Sequence, residues 1–188
     1  MADSHLEIEQ ILAGDHKAFE AFVKRYQRLV SHIVFRMISN DEDRRDICQD
    51  VFIKIHRNLS SFRHESKLST WIGRVAYNRC LNYLEKKKVP LYEDLCREGE
   101  TVDSVIGSAV RPDEYAEDQD RSARLRHEIA GLPAQFRTIV TLYHLDEMTY
   151  HEIGDIMKLP EGTVKSYLFR ARKLLKERLL AKYQPEEL

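Results

Sequence analysis

TYHEIGDIMKLPEGTVKSYLFRARKLLKER, running from Thr149 to Arg178, is the stretch from which the fold is most directly read. Thr149 followed three residues later by Glu152 is a capping-box pattern, in which each side chain satisfies a backbone N–H left open at a helix start. Ile153 and Ile156 then fall on one face at helical spacing. Leu159-Pro160-Glu161-Gly162 interrupts that helix, because Pro160 cannot continue it but suits a turn or a fresh start. A longer helix is predicted from Thr163, with Val164, Leu168, Ala171, Leu175 and Leu179 as its buried stripe. The same geometry turns Lys165, Ser166, Phe169, Arg170 and Lys173 toward other faces. Between Lys158 and Lys182 eight cationic residues oppose only Glu161 and Glu177, a net charge of +6. A short capped helix, a tight turn and a basic second helix form a helix-turn-helix suited to the major groove of DNA. The competing reading is a solvated basic face on an interaction helix.

Working outward, the rest of the chain is also helical. Phe19, Phe22, Val23, Tyr26, Leu29, Val30, Ile33, Val34 and Met37 step in threes and fours behind Gly14 and a capping Asp15. Ile47, Val51, Ile55 and Leu59, with Phe52 beside them, follow an acidic start at Asn40-Asp41-Glu42-Asp43 that complements a helix N-terminus. A third run begins at Ser69-Thr70 and carries Trp71, Ile72, Val75, Ala76 and Leu84. Periodicity resumes with Leu125, Ile129 and Leu132, then Phe136, Ile139, Val140, Leu142 and Tyr143 beyond Pro133. No stretch alternates as a strand between hairpin turns. The fold class is all-α.

Between these runs the composition breaks. From Glu93 to Asp120 ten carboxylates face two arginines, a net charge of −8, in a segment poor in large apolar residues. Such a segment buries too little surface to offset its ordering entropy, so it is expected to be a flexible linker. The expected organisation is two helical domains joined by an acidic tether of about 30 residues, too long for an ordinary helix–helix loop.

The 188-residue chain has a net charge of −1, an average that hides its oppositely charged blocks. Cys48, Cys80 and Cys96 are scattered, with no C-x-x-C pair and no histidine at metal-ligand spacing, which fits reduced thiols in a cytosol. The N-terminal residues carry no signal-peptide pattern, and no apolar run approaches the ~20 residues of a membrane span. No catalytic nucleophile–base set, phosphate-binding loop, metal site or cofactor motif is present, so a soluble cytoplasmic protein that is not an enzyme is expected.

Two segments of the first half carry candidate function. Asp46, Gln49 and Asp50 share one side of the second helix, with Ile47, Val51 and Phe52 nearer the core. They form either a solvated acidic face or a docking surface for a basic partner. From Phe62 to Lys88 seven cationic residues oppose two glutamates. Phe62, Arg63, Lys67, Ser69, Thr70, Trp71, Arg74 and Asn78 interleave aromatic, hydroxyl, amide and basic groups, the mixture that stacks on and hydrogen-bonds unpaired bases. A core tryptophan ringed by merely exposed polar residues is the alternative.

In their order and spacing these pieces resemble bacterial RNA polymerase sigma factors of the extracytoplasmic-function (ECF) group. The resemblance rests on Asp15-His16-Lys17-Ala18-Phe19-Glu20 with Tyr26, on Asp46-x-x-Gln49-Asp50-Val51-Phe52, and on Phe62-Arg63 followed by Ser69-Thr70-Trp71-Ile72. It continues through Leu132-Pro133 to Glu161-Gly162-Thr163-Val164-Lys165-Ser166 and Arg170-Ala171-Arg172. It implies a sigma-2-like first domain over 9–88 and a sigma-4-like helix-turn-helix domain over 121–182, the acidic linker over 89–120 replacing the middle domain of larger sigma factors. Asp46, Gln49 and Asp50 would dock on the β′ clamp helices of core RNA polymerase, whose β flap is a further contact that the resemblance implies. Phe62 to Ser69 and the helix from Thr70 would capture the melted −10 element of promoter DNA. Lys165, Ser166, Phe169, Arg170 and Lys173 would read the −35 element, with Lys176 and Arg178 on phosphate. An anti-sigma partner is implied as well. The paired tryptophans of primary sigma factors are absent, Trp71 being the sole tryptophan. A two-domain regulator with a sensory N-terminal half shares the helix-turn-helix, but Phe62–Lys88 suits neither a ligand pocket nor a phospho-acceptor domain. A nucleic-acid enzyme would need a convergent catalytic set.

Overall fold

The computed structural model describes residues 2–88 and 121–183, and among them every regular element is helical. The elements are α1 (Ala2–Leu12), α2 (His16–Met37), α3 (Asp41–Asn58), a 3-10 turn (Leu59–Ser61), α4 (Leu68–Lys86), α5 (Arg121–Ala130), α6 (Ala134–His144), α7 (Tyr150–Met157) and α8 (Glu161–Lys182). The expected linker over 89–120, with Cys96, lies outside the described residues.

Local chemistry sets the ends of the early helices. Gly14 takes φ +91°, which reverses the chain after α1. Asp15 then accepts from the N–H groups of Lys17 and Ala18 at 2.8 and 3.1 Å, capping α2. Asn40 caps α3 in the same way, accepting from Glu42 and Asp43, and Asp41, Glu42 and Asp43 occupy the positive end of the helix dipole. Ile8 and Ile11 of α1 are buried, so the first bundle begins ahead of Glu9.

α2 supplies the spine of that bundle, burying Phe22, Leu29, Val30, Ile33, Val34 and Met37. Ile47, Val51, Ile55 and Leu59 meet it from α3 and the 3-10 turn. α4 starts at Leu68 rather than Ser69, with Lys67 in extended backbone at its N-cap and no side-chain cap. More of its circumference is buried than its apolar spacing predicts: Thr70, Gly73 and Tyr77 join Ile72, Ala76, Cys80 and Leu84. The reason is a second neighbour, α7, which packs on α4 while α6 packs on α2. The two halves thus share one continuous core.

In the second half, two expectations change. α5 points Leu125 to solvent and turns Glu128 inward, where Lys182 meets it; packing against α8 selects the face, and the ion pair makes a carboxylate tolerable there. α8 begins at Glu161, two residues before Thr163, because Pro160 serves as its N-cap. Its buried stripe is Val164, Tyr167, Leu168, Ala171 and Leu174, with Leu175 and Leu179 only half-buried. Stepping by 3.6 residues carries the stripe toward Leu174, where α6 supplies the contact through Phe136, 5.6 Å from the Tyr167 ring. The capping box at Thr149 is present in both directions, at 2.9 and 3.2 Å.

Candidate nucleic-acid interfaces

The turn between α7 and α8 is built on Lys158 and Gly154. Lys158 adopts φ +56°, left-handed backbone that commonly ends helices. Leu159 N–H donates to the Gly154 carbonyl at 3.0 Å, and a Cβ on Gly154 would fall 2.7 Å from the Leu159 oxygen. Only glycine lets the turn fold this tightly over α7. The turn directs α8 so that Lys165, Phe169 and Lys173 line up at four-residue intervals, with Ser166 and Arg170 alongside. Lys165, Phe169, Arg170 and Lys173 are exposed and Ser166 is half-exposed. Phe169 leaves 69% of its surface in water, more than any other large apolar side chain among the described residues.

Beside this face lies a cluster that the sequence reading did not single out. The Tyr143 and Tyr150 rings stack at 5.2 Å, the Arg172 guanidinium sits 5.2 Å over Tyr143, and the Lys165 ammonium sits 5.3 Å over Tyr150. Arg172 donates to His144 Nε2 at 3.0 Å. Modest desolvation of the ring, and then the Arg172 charge, hold the His144 pKa below its ordinary value, so the neutral ring accepts that bond. Glu161 pairs with Lys165 at 2.7 Å and raises its pKa. The signal available in the sequence was Tyr143 and Tyr150 seven residues apart, but they lie on different helices and share no periodicity.

On α3, Asp46, Gln49 and Asp50 are all exposed on one face. Arg79 of α4 donates to Asp50 at 2.5 Å, and Tyr83 donates to Asp43 at 2.6 Å. That hydrogen bond, to an anion, pushes the Tyr83 pKa up to about 12. α4 therefore braces α3 at Asp50 and, two turns earlier, at Asp43.

The segment around α4 is divided. Phe62 packs on Trp71 at 5.6 Å and on His64 at 4.6 Å, holding the loop against the helix start. Arg63 is exposed, and Ser69, Trp71 and Asn78 are half-buried. Lys67 pairs with Glu152 of α7 at 2.8 Å. Arg74 donates through Nε to the Asp155 carbonyl at 2.9 Å, with its Nη2 3.9 Å from the Asp155 carboxylate. Thr70 is buried and its hydroxyl has no hydrogen-bond partner. Burial disfavours charge on Glu152, but hydrogen bonds from Lys67 and Thr149 outweigh it and hold its pKa below the usual value. Two of the cations expected to face nucleic acid, Lys67 and Arg74, thus face carboxylates and a carbonyl of the second half.

Residues 22–89 match the family model of Sigma-70 region 2, and residues 122–175 match that of Sigma-70, region 4. The chain is 34% identical to the ECF RNA polymerase sigma factor SigW of Bacillus subtilis (strain 168), covering 92% of this chain and 94% of that one. It is 37% identical to the ECF RNA polymerase sigma-E factor of Escherichia coli (strain K12), covering 89% and 90% of the two chains. Among solved structures, the sigma factor RpoE of Bartonella quintana, crystallised with the anti-sigma factor NepR, superimposes with a TM-score of 0.64 at 21% identity, covering 89% of this chain and 99% of that chain. CnrH, in complex with the cytosolic domain of CnrY, gives a TM-score of 0.64 at 19% identity, with 95% and 97% covered. These two show a shared fold.

Proposed function

The chain belongs to the extracytoplasmic-function sigma factors of the sigma-70 family, and from that premise we propose how its residues divide the work of initiation. As an alternative sigma factor it binds core RNA polymerase and directs promoter-specific transcription, and it is not an enzyme. The rival reading, a regulator with a sensory N-terminal half, is not favoured, because that half matches Sigma-70 region 2.

Residues 121–182 read the −35 duplex, with Lys165, Ser166, Phe169, Arg170 and Lys173 at the major groove. The observation carrying this assignment is their placement on one exposed face of α8, aimed by the capped helix-turn-helix. Residues 9–88 bind the polymerase and the melted −10 strand. Asp46, Gln49 and Asp50 offer the β′ clamp helices an exposed acidic face braced by Arg79. Phe62, Arg63, Lys67, Ser69, Thr70, Trp71, Arg74 and Asn78 hold unpaired bases and their phosphates. Unstacking a base costs a few kcal/mol, which aromatic and hydrogen-bonding contacts offset. Residues 89–120 join the domains, and polymerase sets the distance between them. The setting is cytoplasmic, an anti-sigma factor is the expected inhibitor, and among the described residues no helix is long and apolar enough to cross a membrane.

Reconstituted transcription with core polymerase on a promoter library tests the division. Substitutions in α8 should change the preferred −35 sequence, and Asp46→Lys or Asp50→Lys should weaken core binding without changing preference. A promoter preference that is unmoved by every α8 substitution would remove the −35 assignment.

A further inference from the structure

The seam between the two halves has the chemistry of a protein–nucleic acid contact in which one side is protein. On α4 and the loop before it stand Lys67 and Arg74; opposite them α7 presents Glu152 and Asp155 one helical turn apart. Lys67 meets the Glu152 carboxylate at 2.8 Å, and Arg74 meets the Asp155 carbonyl at 2.9 Å with its carboxylate at 3.9 Å. Between these polar contacts the helices touch closely: a Cβ on Gly73 would fall 2.7 Å from Ile156 Cδ1. A second polar latch holds α2 to the turn after α6. His32 donates through Nδ1 to the Asp146 carboxylate at 2.9 and 3.0 Å, and Arg28 donates to the Leu145 carbonyl at 3.5 Å.

We propose that α7 is an internal mimic of the −10 strand: Glu152 and Asp155 occupy Lys67 and Arg74 in place of DNA phosphates, so that the closed chain masks its own single-strand site. The proposal rests on the assignment of Lys67 and Arg74 to that strand. Two features of the contact favour competition over passive packing. Both cations are satisfied by oxygen acceptors, Lys67 by a carboxylate and Arg74 by a backbone carbonyl with a carboxylate beside it, where a strand would offer phosphate oxygen. The apolar filling of the seam depends on a glycine, so the fit is close where the strand would have to enter. DNA and α7 cannot hold these two cations together, and any agent that separates the halves exposes the site.

The test uses the full chain and a fluorescein-labelled random 12-nucleotide single-stranded DNA pool, read by anisotropy across a salt series. Gly73→Leu wedges the seam without changing charge, and Asp146→Asn releases the second latch, so a folding failure in one leaves the other. Small-angle scattering reports the opening, and circular dichroism reports folding. Opened variants should bind about tenfold more tightly, the gain expected if the site is free in about a tenth of closed molecules. The log–log salt slope should steepen by about 1.4 as two cations become available to a single strand. Arg74→Ala in the Gly73→Leu background should reverse most of the gain. Equal binding by closed wild type and opened variant, with Arg74→Ala weakening both, would overturn the mimicry and leave the −10 assignment standing. No binding by the opened chain would remove the −10 assignment and the mimicry with it. Variants that scatter as compactly as wild type would show that these contacts do not hold the seam, which also overturns the proposal.

Discussion

The carboxylate of Glu128, 1% exposed, lies 2.9 Å from the ammonium of Lys182, and this pair ties α5 to the end of α8. Tyr183 adds its hydroxyl at 3.4 Å. The desolvation of a buried carboxylate is severe, so its value to the fold depends on keeping its partner. Lys182 is half exposed, which moderates the loss when it is removed. Lys182→Met should therefore lower the unfolding free energy by roughly 1–3 kcal/mol, measured by urea denaturation. Glu128→Leu, which removes the buried charge itself, should cost less than Lys182→Met. The reverse order would mean that the pair does not compensate the burial of Glu128.

Gly154→Ala attacks the helix-turn-helix at its tightest point. The added methyl would lie 2.7 Å from the backbone oxygen of Leu159, which has no side-chain freedom with which to retreat. The expected cost is about 1–3 kcal/mol, typical of forcing extra volume into a packed site. Because the displaced turn also aims α8, duplex binding should weaken more than the loss of folded protein explains. Gly162→Ala is the control: open space surrounds a Cβ there, and helix propensity favours alanine by about 1 kcal/mol. Thermal melts of both variants, with binding measured at matched folded fractions, separate the two effects.

Much of the local structure is legible in the sequence because its causes are local. Asp15 and the Thr149–Glu152 box each act within three residues and make their expected caps, and the helix expected at the acidic start Asn40–Asp43 begins there, with Asn40 as its cap. The face that carries Lys165, Phe169 and Arg170 follows from a period that holds in any helix. What remains hidden depends on partners distant in sequence. A period of 3.6 says that a face of α4 is buried, but not that Gly73 packs against Ile156 of α7. His32 and Asp146, 114 positions apart, share no pattern that marks them as partners. Glu128 was unreadable for the same reason, since a glutamate at an inward position is sensible only once Lys182 is beside it. At the turn, proline and glycine draw attention to 160–162, yet the left-handed residue is Lys158 and the essential glycine is Gly154.

The cluster beside α8 should make the second half sensitive to acid. His144 is exposed, but modest desolvation of its ring and then the Arg172 charge lower its folded pKa below the ordinary 6.5. A depressed histidine leaves stability intact above the unfolded pKa and removes it as pH falls through the folded one. Wild type should lose thermal midpoint as pH drops below about 6.5, beyond the loss shared by all variants. His144→Gln keeps an acceptor for Arg172 and does not titrate, so its midpoint should fall less steeply across the same window. Parallel curves for the two proteins would show that His144 protonation is not linked to folding.

Two of the residues assigned to the −35 element, Lys165 and Arg170, would meet DNA through different chemistry. Lys165 is held by Glu161 at 2.7 Å and lies over the Tyr150 ring, so it must leave a partner to reach a base. Arg170 carries a planar fork suited to a guanine edge. Arg170→Ala should cost roughly 1–3 kcal/mol of discrimination at one −35 position. Lys165→Ala should cost less, because an ammonium is a point charge without that bidentate fit. Glu161→Gln then has the opposite sign. It frees Lys165 and removes a charge near phosphate, so duplex affinity should rise across all sequences, with little change in preference. Holoenzyme binding to a library of −35 variants, over a salt series, measures all three. If Glu161→Gln weakens binding, the glutamate is positioning Lys165 for its contact rather than competing for it, and the order assigned to these residues is wrong.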